Sequence, residues 1–267
     1  MKLTIIGSGN MGSAIVRGLI QGSVFKPEDI TVIDVKQTPL DILKKDFPAL
    51  NTVLDNFDSI SETDIILLAV KPWLIHDVIT DIKFNMDYSR QMLISIAGGL
   101  NIETIENSLT KYPNSADELP VIFRVIPNTA IAVKQSMTLI SSKRASSEQE
   151  NLLLKIFNEL GTAILLDESK LAAGTALTSC GIAYLFRYVR AATLAGIEMG
   201  LYPKEAQNMI INTMLGAAEL LKATGNHPET EIEKVTTPGG ITIKGLNELE
   251  ANGFSTAIIR AMKASCR

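Results

Sequence analysis

Short runs of consecutive apolar residues recur through the first half of the chain and are separated by longer segments with helical periodicity. The runs are 3–6, 30–33, 65–70, 92–96 and 121–126. A strand that is buried on both faces needs continuous rather than alternating apolar residues, and the intervening segments are long enough for crossover helices. The pattern predicts a parallel α/β sheet. A helix at 148–160, flanked by runs at 138–141 and 163–166, is expected to complete it.

The pattern changes near residue 167, beyond which only helical periodicity is found. Helices are predicted from about 169 to 199 and from 203 to about 225. A short helix follows the break at 226–228 and ends near 235, and two more helices are separated by Gly253. Gly200 suits a helix C-terminus, and Pro203 suits a helix start. The predicted organisation is therefore an α/β domain at 1–167 followed by an all-α domain at 168–267.

The first helix of the all-α domain mixes alanine and glycine with large apolar residues on every face. A helix that is apolar all round must be covered all round. Burial against the chain's own first domain is one way to achieve this. An intertwined homodimer is the favoured interpretation.

Composition narrows the possible partners. The 267 residues carry a formal charge of −4, with 46% hydrophobic and 20% charged residues, which is typical of a globular protein. Without a basic run, neither nucleic acid nor an anionic membrane is an expected partner. Cys180 and Cys266 are too few for a zinc site or a disulfide framework, so no metal is expected. With no secretion signal or membrane span evident, we expect a cytoplasmic protein.

The sharpest local motif is the glycine turn GSGNMG at 7–12, which follows the first predicted strand and opens a helix. Gly7 permits a tight turn, Gly9 leaves space for a pyrophosphate, and Gly12 allows close packing of helix and strand. The helix N-terminus presents N–H groups to the phosphates. A tight turn without a ligand is the alternative, but the order strand, turn, helix favours dinucleotide binding.

Asp34 ends the second predicted strand, 22 residues after Gly12. An acid near this spacing accepts hydrogen bonds from an adenosine ribose, which favours NADH because a carboxylate repels a 2′-phosphate. Lys36 offers a cation to that phosphate instead. Asp34 as a merely solvated strand end is a third interpretation, so NADPH and NADH both stay open.

Three further loops follow strand ends at the same predicted edge of the sheet: AVKP at 69–72, SIAGG at 95–99 and IPNT at 126–129. Ligands of open α/β sheets bind beyond the carboxyl ends of the strands. Lys71 is either a catalytic cation or a charged loop residue. Asn128 either orients the nicotinamide or substrate with its amide or satisfies its own turn after Pro127.

Five motifs together resemble pyrroline-5-carboxylate reductase over essentially the whole chain. They are GSGNMG, AVKP, SIAGG, RVIPNT at 124–129 and VTTPGGITIKGLNELEANGF at 235–254. The resemblance implies a Rossmann domain followed by a helical dimerisation domain, which interlocks two subunits and often builds higher assemblies from dimers. It also implies reduction of the cyclic imine 1-pyrroline-5-carboxylate to L-proline by NADPH or NADH, the last step of proline biosynthesis.

The resemblance also implies roles for individual residues. The substrate carboxylate is expected on the loop before a helix, with Thr237 donating its hydroxyl, Gly240 its N–H, and the catalytic Thr242 meeting the ring nitrogen. The alternative for Thr242 is helix capping. The expected substrate-binding residues are Thr236, Thr237, Gly239, Gly240 and Thr242. The expected cofactor-binding residues are Gly7, Ser8, Gly9, Asn10, Met11, Gly12, Asp34, Asn56, Ala69, Val70, Lys71, Pro72, Ala97 and Asn128.

The chain departs from the family at several places. Many members have a Ser-Gly-Ser-Gly-Pro-Ala-Tyr run where this chain has TSCGIAY at 178–184, so Ile182 replaces a proline and Cys180 a small hydroxyl residue. Ala130 replaces another proline, and 112–120 is predicted to be a polar insertion. These departures leave the substrate range open.

Two rival classes of function stand against this one: a different reductase and a non-catalytic nucleotide-binding protein. A hydroxy-acid enzyme of similar architecture would need a lysine within the long helix, where Lys170 occurs only at the start. A different imine reductase or a deazaflavin-linked reductase would share the glycine turn. A non-catalytic nucleotide sensor would need no site for a small carboxylate. His76 and His227 are expected to be surface residues rather than proton donors.

Overall fold

The computed structural model describes residues 1–112 and 119–266. Its strands are β1 Leu3–Ile6, β2 Ile30–Asp34, β3 Asn51–Leu54, β4 Ile65–Leu68, β5 Met92–Ser95, β6 Val121–Ile126, β7 Ser136–Lys143 and β8 Gly161–Leu165. The α-helices of the first part are α1 Asn10–Ile20, α2 Gln37–Asp46, α3 Ile75–Ile82, α4 Ile102–Leu109 and α5 Ser147–Asn158. Those of the second part are α6 Leu171–Thr175, α7 Gly181–Glu198, α8 Pro203–Thr224, α9 Pro228–Val235, α10 Ile241–Ala251 and α11 Phe254–Ser265. Short 3-10 helices cover Pro27–Asp29, Asp58–Glu62, Pro72–Leu74, Thr129–Val133 and Glu168–Lys170.

All eight strands form one sheet in the order β3-β2-β1-β4-β5-β6-β7-β8. The first six are parallel, whereas β7 runs antiparallel to β6, and β8 is parallel to β7. The α/β class is confirmed, but the sheet is not parallel throughout. The nine residues 127–135 between β6 and β7 are too few for a crossover, which needs about a dozen or more. The chain therefore has to reverse its direction there.

The sheet is buried on both faces, as the continuous apolar runs predicted. Along β4, Ile65 and Leu67 pack into one hydrophobic cluster, and Ile66 and Leu68 pack into another on the opposite face. Successive side chains of a strand point to opposite faces, so each face is covered by its own layer of helices. This two-sided core holds the strand ends, and the loops that follow them, in fixed places.

Strand β3 is the one strand of the described residues that the apolar runs do not indicate. Its sequence NTVL is half polar, and its side chains are exposed or only half-buried. It lies at the edge of the sheet beside β2, with Asp34 opposite Leu54. An edge strand needs no continuous apolar run because one side is left unpaired.

The predicted helix at 169–199 is present but interrupted. Between α6 and α7 the residues Ala176–Cys180 form a π-helical turn. Internal packing divides the chain into two compact units, Met1–Ser179 and Cys180–Arg267. The boundary near residue 167 stays a prediction. The predicted polar insertion at 112–120 lies mostly outside the described residues.

After residue 165 the described part of the chain contains helices and no strand, as predicted. Helices α8 to α11 begin and end close to the predicted positions, with Gly225 and Gly253 both at positive φ between helices. Among the described residues, no helix combines the length and the hydropathy needed to cross a bilayer.

Candidate active site

The glycine turn lies at the point where the order of strands reverses. Strand β1 has β2 on one side and β4 on the other. Gly7 donates its N–H to the carbonyl of Ile33 (2.8 Å), and Ala69 donates its N–H to the carbonyl of Ile6 (2.8 Å). The loops after β1, β2 and β4 therefore meet at one edge. This is the crevice where ligands bind in open α/β sheets.

The three glycines of the turn have different physical roles. Gly7 has φ +102°, and a Cβ there would lie 2.7 Å from the carbonyl oxygen of Ala69. At Gly12 a Cβ would lie 2.0 Å from the carbonyl oxygen of Gly7. At Gly9 a Cβ would meet nothing within 4 Å. Gly7 and Gly12 are thus required by chain packing, whereas Gly9 leaves open space beside the helix, as a bound pyrophosphate needs.

Helix α1 begins directly after this open space. Its N-cap is Gly9, no side chain caps it, and its first turn has no acidic residue. The first N–H groups of a helix have no partner within the helix, and the dipole adds partial positive charge there. Asn10 is exposed and Met11 is half-buried in this first turn. The geometry fits the phosphates of a dinucleotide.

Asp34 is tied to the glycine turn. Its Oδ2 accepts hydrogen bonds from Ser8 N (2.7 Å) and Ser8 Oγ (2.6 Å), and its Oδ1 accepts one from Lys36 N (2.9 Å). Burial opposes ionisation of Asp34, but these hydrogen bonds outweigh it and lower the pKa of the carboxyl. Asp34 is therefore not a freely solvated strand end. Ser8 is buried. Its role as the hydrogen-bond partner of Asp34 could not be read from its position in the sequence.

The remaining loops of the predicted cofactor set differ in exposure. Ala69 and Val70 are half-buried, Lys71 is exposed, and Pro72 starts the 3-10 turn after β4. Ala97 is buried and donates its N–H to Ser95 Oγ (3.3 Å).

Asn56 is exposed after β3 and donates its side-chain amide to Asp58 (3.0 Å). These residues stay predicted cofactor contacts.

Asn128 uses its side-chain amide inside the protein. Its Oδ1 accepts from Ala130 N (3.0 Å), and its Nδ2 donates to the carbonyl oxygen of Thr178 (3.3 Å). Ser179 Oγ adds a bond to the carbonyl oxygen of Pro127 (3.0 Å). Asn128 therefore satisfies its own turn after Pro127, one of the two roles that the sequence left open. It also contacts the π-helical turn through Thr178. A role toward the nicotinamide stays a prediction.

The predicted carboxylate loop forms a tight turn between α9 and α10. Gly240 donates its N–H to the carbonyl of Thr237 (2.9 Å), and Gly239 has φ +73°. With Pro238 at the second position and Gly239 at the third, this is the arrangement of a type II turn. Thr236 Oγ1 donates back to the carbonyl oxygens of Ile232 and Glu233 at 3.1 Å. Because Gly240 N–H is engaged in the turn, a carboxylate would have to share it.

Thr242 is the second residue of α10 and is exposed. The N-cap of α10 is Gly240, and no side chain caps the helix, so Thr242 does not perform the capping role considered as its alternative. The first N–H groups of α10 and the hydroxyl of Thr242 thus lie together at a helix start, which suits a small anion.

Both histidines have structural partners. His76 Nδ1 lies 3.1 Å from Ser108 Oγ, and His227 caps α9 by accepting from Glu229 N (3.3 Å). Both histidines are exposed, as predicted, and the absence of a proton-donor role stays a prediction.

Comparison with known proteins extends over the whole chain. Residues 168–267 match the family model described as pyrroline-5-carboxylate reductase dimerisation. Residues 2–99 match the model described as NADP oxidoreductase coenzyme F420-dependent. Pyrroline-5-carboxylate reductase from Methanosarcina acetivorans is 34% identical over 269 residues, covering 99% of this chain and 96% of the relative. The chain belongs to the pyrroline-5-carboxylate reductase family.

Two further similarities agree with this family. Pyrroline-5-carboxylate reductase 1 of Dictyostelium discoideum is 34% identical over 98% of this chain, which spans about half (48%) of that relative's length. The crystal structure of pyrroline carboxylate reductase from Plasmodium falciparum with NADP bound has a TM-score of 0.87 at 29% identity. The match covers 100% of this chain and 95% of the Plasmodium falciparum chain. This chain shares with the family a Rossmann-like domain followed by a helical one. The chain is an NAD(P)H-dependent oxidoreductase.

Proposed function

We propose that this chain reduces 1-pyrroline-5-carboxylate to L-proline with NADPH or NADH, the last step of proline biosynthesis. The observation that carries the proposal is a pair of helix N-termini that no side chain caps and whose first turns lack acidic residues, so both suit an anion. One follows the glycine turn at 7–12, and the other follows the turn at 237–240. A nicotinamide dinucleotide and a small imino acid are the two anionic ligands that this reaction needs.

The glycine turn and its neighbours would hold the dinucleotide. The open space at Gly9 and the first N–H groups of α1 would receive the pyrophosphate, and Asp34 would face the adenosine ribose. When bound, the reduced nicotinamide supplies a hydride. The chain's task is to fix the ring's position and to keep water away.

The turn before α10 would hold the substrate. Its carboxylate would lie on the first N–H groups of α10 and the hydroxyl of Thr237, with Thr242 Oγ1 toward the ring nitrogen. A protonated imine is already an electrophile, so orientation of the ring matters more than strong acid or base catalysis. This agrees with the structural roles of His76 and His227.

We further propose that the chain acts as a homodimer, with a higher assembly built from dimers, and that it acts in the cytoplasm. The family model described as a dimerisation domain supports the dimer. Many large apolar side chains of α7 and α8 are exposed in the single chain, which supports it independently. The two cysteines are free thiols, which suits a reducing compartment.

A spectrophotometric assay tests the reaction. Purified protein supplied with 1-pyrroline-5-carboxylate is expected to oxidise NADPH or NADH and to form proline in equal amounts. If folded dimeric protein gave no oxidation above the rate without substrate, the proposed reaction would be rejected.

Thr242→Val tests the substrate site, because valine keeps the shape of threonine and removes its hydroxyl. We expect kcat/KM to fall at least about tenfold while the cofactor dissociation constant stays unchanged. Thr256→Val, an exposed threonine of α11, is the matched control and should leave both unchanged. Loss of cofactor binding in Thr242→Val would instead show a structural role.

A further inference from the structure

We propose that this chain binds NADH in preference to NADPH, because Asp34 and the acidic loop after β3 leave no favourable place for an adenosine 2′-phosphate. The inference rests on the proposed function, since it assumes that the dinucleotide lies over the glycine turn. It names which of the two nicotinamide cofactors that site selects.

The carboxylate of Asp34 is held in one position. Two hydrogen bonds from Ser8 fix Oδ2, and one from Lys36 N fixes Oδ1. A carboxylate accepts about four hydrogen bonds, so one acceptor position is left on Oδ1. A ribose hydroxyl can donate to that position. A phosphate at the same place has no proton to donate at its charged oxygens, and the fixed carboxylate cannot turn away from it.

Asp34 is charged at neutral pH. Burial alone would favour the neutral acid, but the hydrogen bonds from Ser8 and Lys36 lower its pKa below the ordinary value of 3.8. A phosphate monoester carries about −1.5 to −2 charges at pH 7, so the two groups repel each other. Repulsion between fixed charges of the same sign in a half-buried site is only partly screened by salt.

Two further acidic residues, Asp55 and Asp58, follow the neighbouring strand β3. Strand β3 pairs with β2, and Asp55 N donates to the carbonyl oxygen of Asp34 (3.0 Å). Asp55 adopts a left-handed backbone conformation with φ 45°, and Asp58 follows three residues later. Within 34–36 and 55–58 the only cation is the exposed Lys36.

The charge balance at this strand edge therefore disfavours a 2′-phosphate. Lys36 was the residue that left NADPH open from the sequence alone. Because the apolar runs do not indicate β3, the sequence did not show that Asp55 lies beside Asp34. The similar crystal structure from Plasmodium falciparum has NADP bound, so the inference is drawn from the residues of this chain and not from that similarity.

Equilibrium titrations of NADH and NADPH, followed by nicotinamide fluorescence, test the inference without requiring turnover. The wild-type protein is expected to bind NADH at least about tenfold more tightly than NADPH. Asp34→Asn keeps the shape and removes the charge, and it should reduce this ratio to about threefold or less. Asp81→Asn, an exposed aspartate in α3, is the control and should keep the wild-type ratio.

Several results would overturn the inference. NADPH binding as tightly as NADH to the wild type would do so, whatever the variants show, and this comparison decides the matter if Asp34→Asn does not fold. An unchanged ratio in folded Asp34→Asn would show that Asp34 does not select the cofactor. Failure of the proposed function looks different. NADH would then bind without reducing 1-pyrroline-5-carboxylate, or neither nucleotide would bind and both proposals would fall.

Discussion

At the scale of single residues, Gly9 and Gly12 are glycines for different reasons. Gly9 leaves room for a ligand, and Gly12 leaves room for the chain's own backbone. A methyl group at Gly9 would meet no atom within 4 Å, whereas one at Gly12 would meet the carbonyl oxygen of Gly7 at 2.0 Å. Both glycines belong to the same motif in the sequence. Only the structure shows which of them is required for packing.

Gly9→Ala should leave the free energy of unfolding within about 1 kcal/mol of the wild type, since only the N-cap of α1 changes. Its dissociation constant for the dinucleotide should rise at least about tenfold, because the methyl group enters the space left for the pyrophosphate. Gly12→Ala should be destabilised by more than about 1 kcal/mol through overpacking. Thermal melts and cofactor titrations measure both effects. Unchanged affinity in Gly9→Ala would show that the pyrophosphate lies elsewhere.

Glu106 is a buried carboxylate with two cationic partners. Lys143 Nζ lies 2.7 Å from Oε2, and Arg144 contacts Oε1. Burial disfavours the charged form, but the hydrogen bonds from Lys143 and Arg144 lower the pKa of Glu106 below 4.5. A carboxylate whose pKa is lowered by folding stabilises the folded state above its unfolded pKa. That contribution is lost as the pH falls through the folded value.

Glu106→Gln should therefore lower the free energy of unfolding by about 1–3 kcal/mol at pH 7. The difference from wild type should shrink as the pH falls below 4.5. Denaturant titrations at several pH values measure this difference. Glu62→Gln removes the partner of Lys2 in an exposed pair and should have little effect at any pH. A difference that stays constant down to pH 3 would contradict the charged role of Glu106.

At the scale of elements, the buried parallel strands were predictable, because burial on both faces leaves a continuous apolar run in the sequence. The glycine turn was predictable for a similar reason, since its backbone geometry permits few residue types. Strand β3 and the π-helical turn left no such signal. The edge position of β3 relaxes the need for apolar residues, and the π turn depends on contacts from residues about 50 positions away.

The positions of the candidate site residues were partly predictable. Asp34 was found from its spacing after the glycine turn, but its bonds to Ser8 and the proximity of Asp55 come from the pairing of strands. The roles of Thr237, Gly240 and Thr242 were inferred from a family resemblance. No spacing rule links that turn to the glycine turn, because the two are more than 200 residues apart in the chain.

The turn at Asn128 and the π-helical turn Ala176–Cys180 act as one element. Asn128 is 8% exposed and bonds to both Ala130 and Thr178. Asn128→Ala should lower the free energy of unfolding by about 1–3 kcal/mol, since partly buried backbone groups of Ala130 and Thr178 lose their partners. Asn101→Ala, which removes the exposed cap of α4, should cost only about 1 kcal/mol. Denaturant titrations that showed no loss for Asn128→Ala would contradict the coupling of the two turns.

At the scale of the whole molecule, the exposed apolar residues of the helical unit require a covering surface. Leu185 of α7 is 54% exposed and Leu215 of α8 is 61% exposed. Large apolar side chains exposed in such number along two helices are typical of a protein interface. A dimer formed by these helices would remove them from water.

A double variant tests the dimer. Leu185→Glu with Leu215→Glu should weaken dimerisation at least about tenfold, because two charges would be buried in an apolar interface. Sedimentation equilibrium measures the dissociation constant. Ile42→Glu, on α2 and 52% exposed, is the control and should leave the dimer intact. Unaltered dimers of the double variant would place the interface on another surface.

The most direct test of the proposed chemistry is a crystal structure of the protein with both a nicotinamide dinucleotide and L-proline. We predict that the pyrophosphate lies on the first N–H groups of α1 at Gly9. The proline carboxylate should lie at the turn 237–240 and its ring nitrogen about 3 Å from Thr242 Oγ1. Proline bound away from this turn, or a dinucleotide bound away from the glycine turn, would contradict the account.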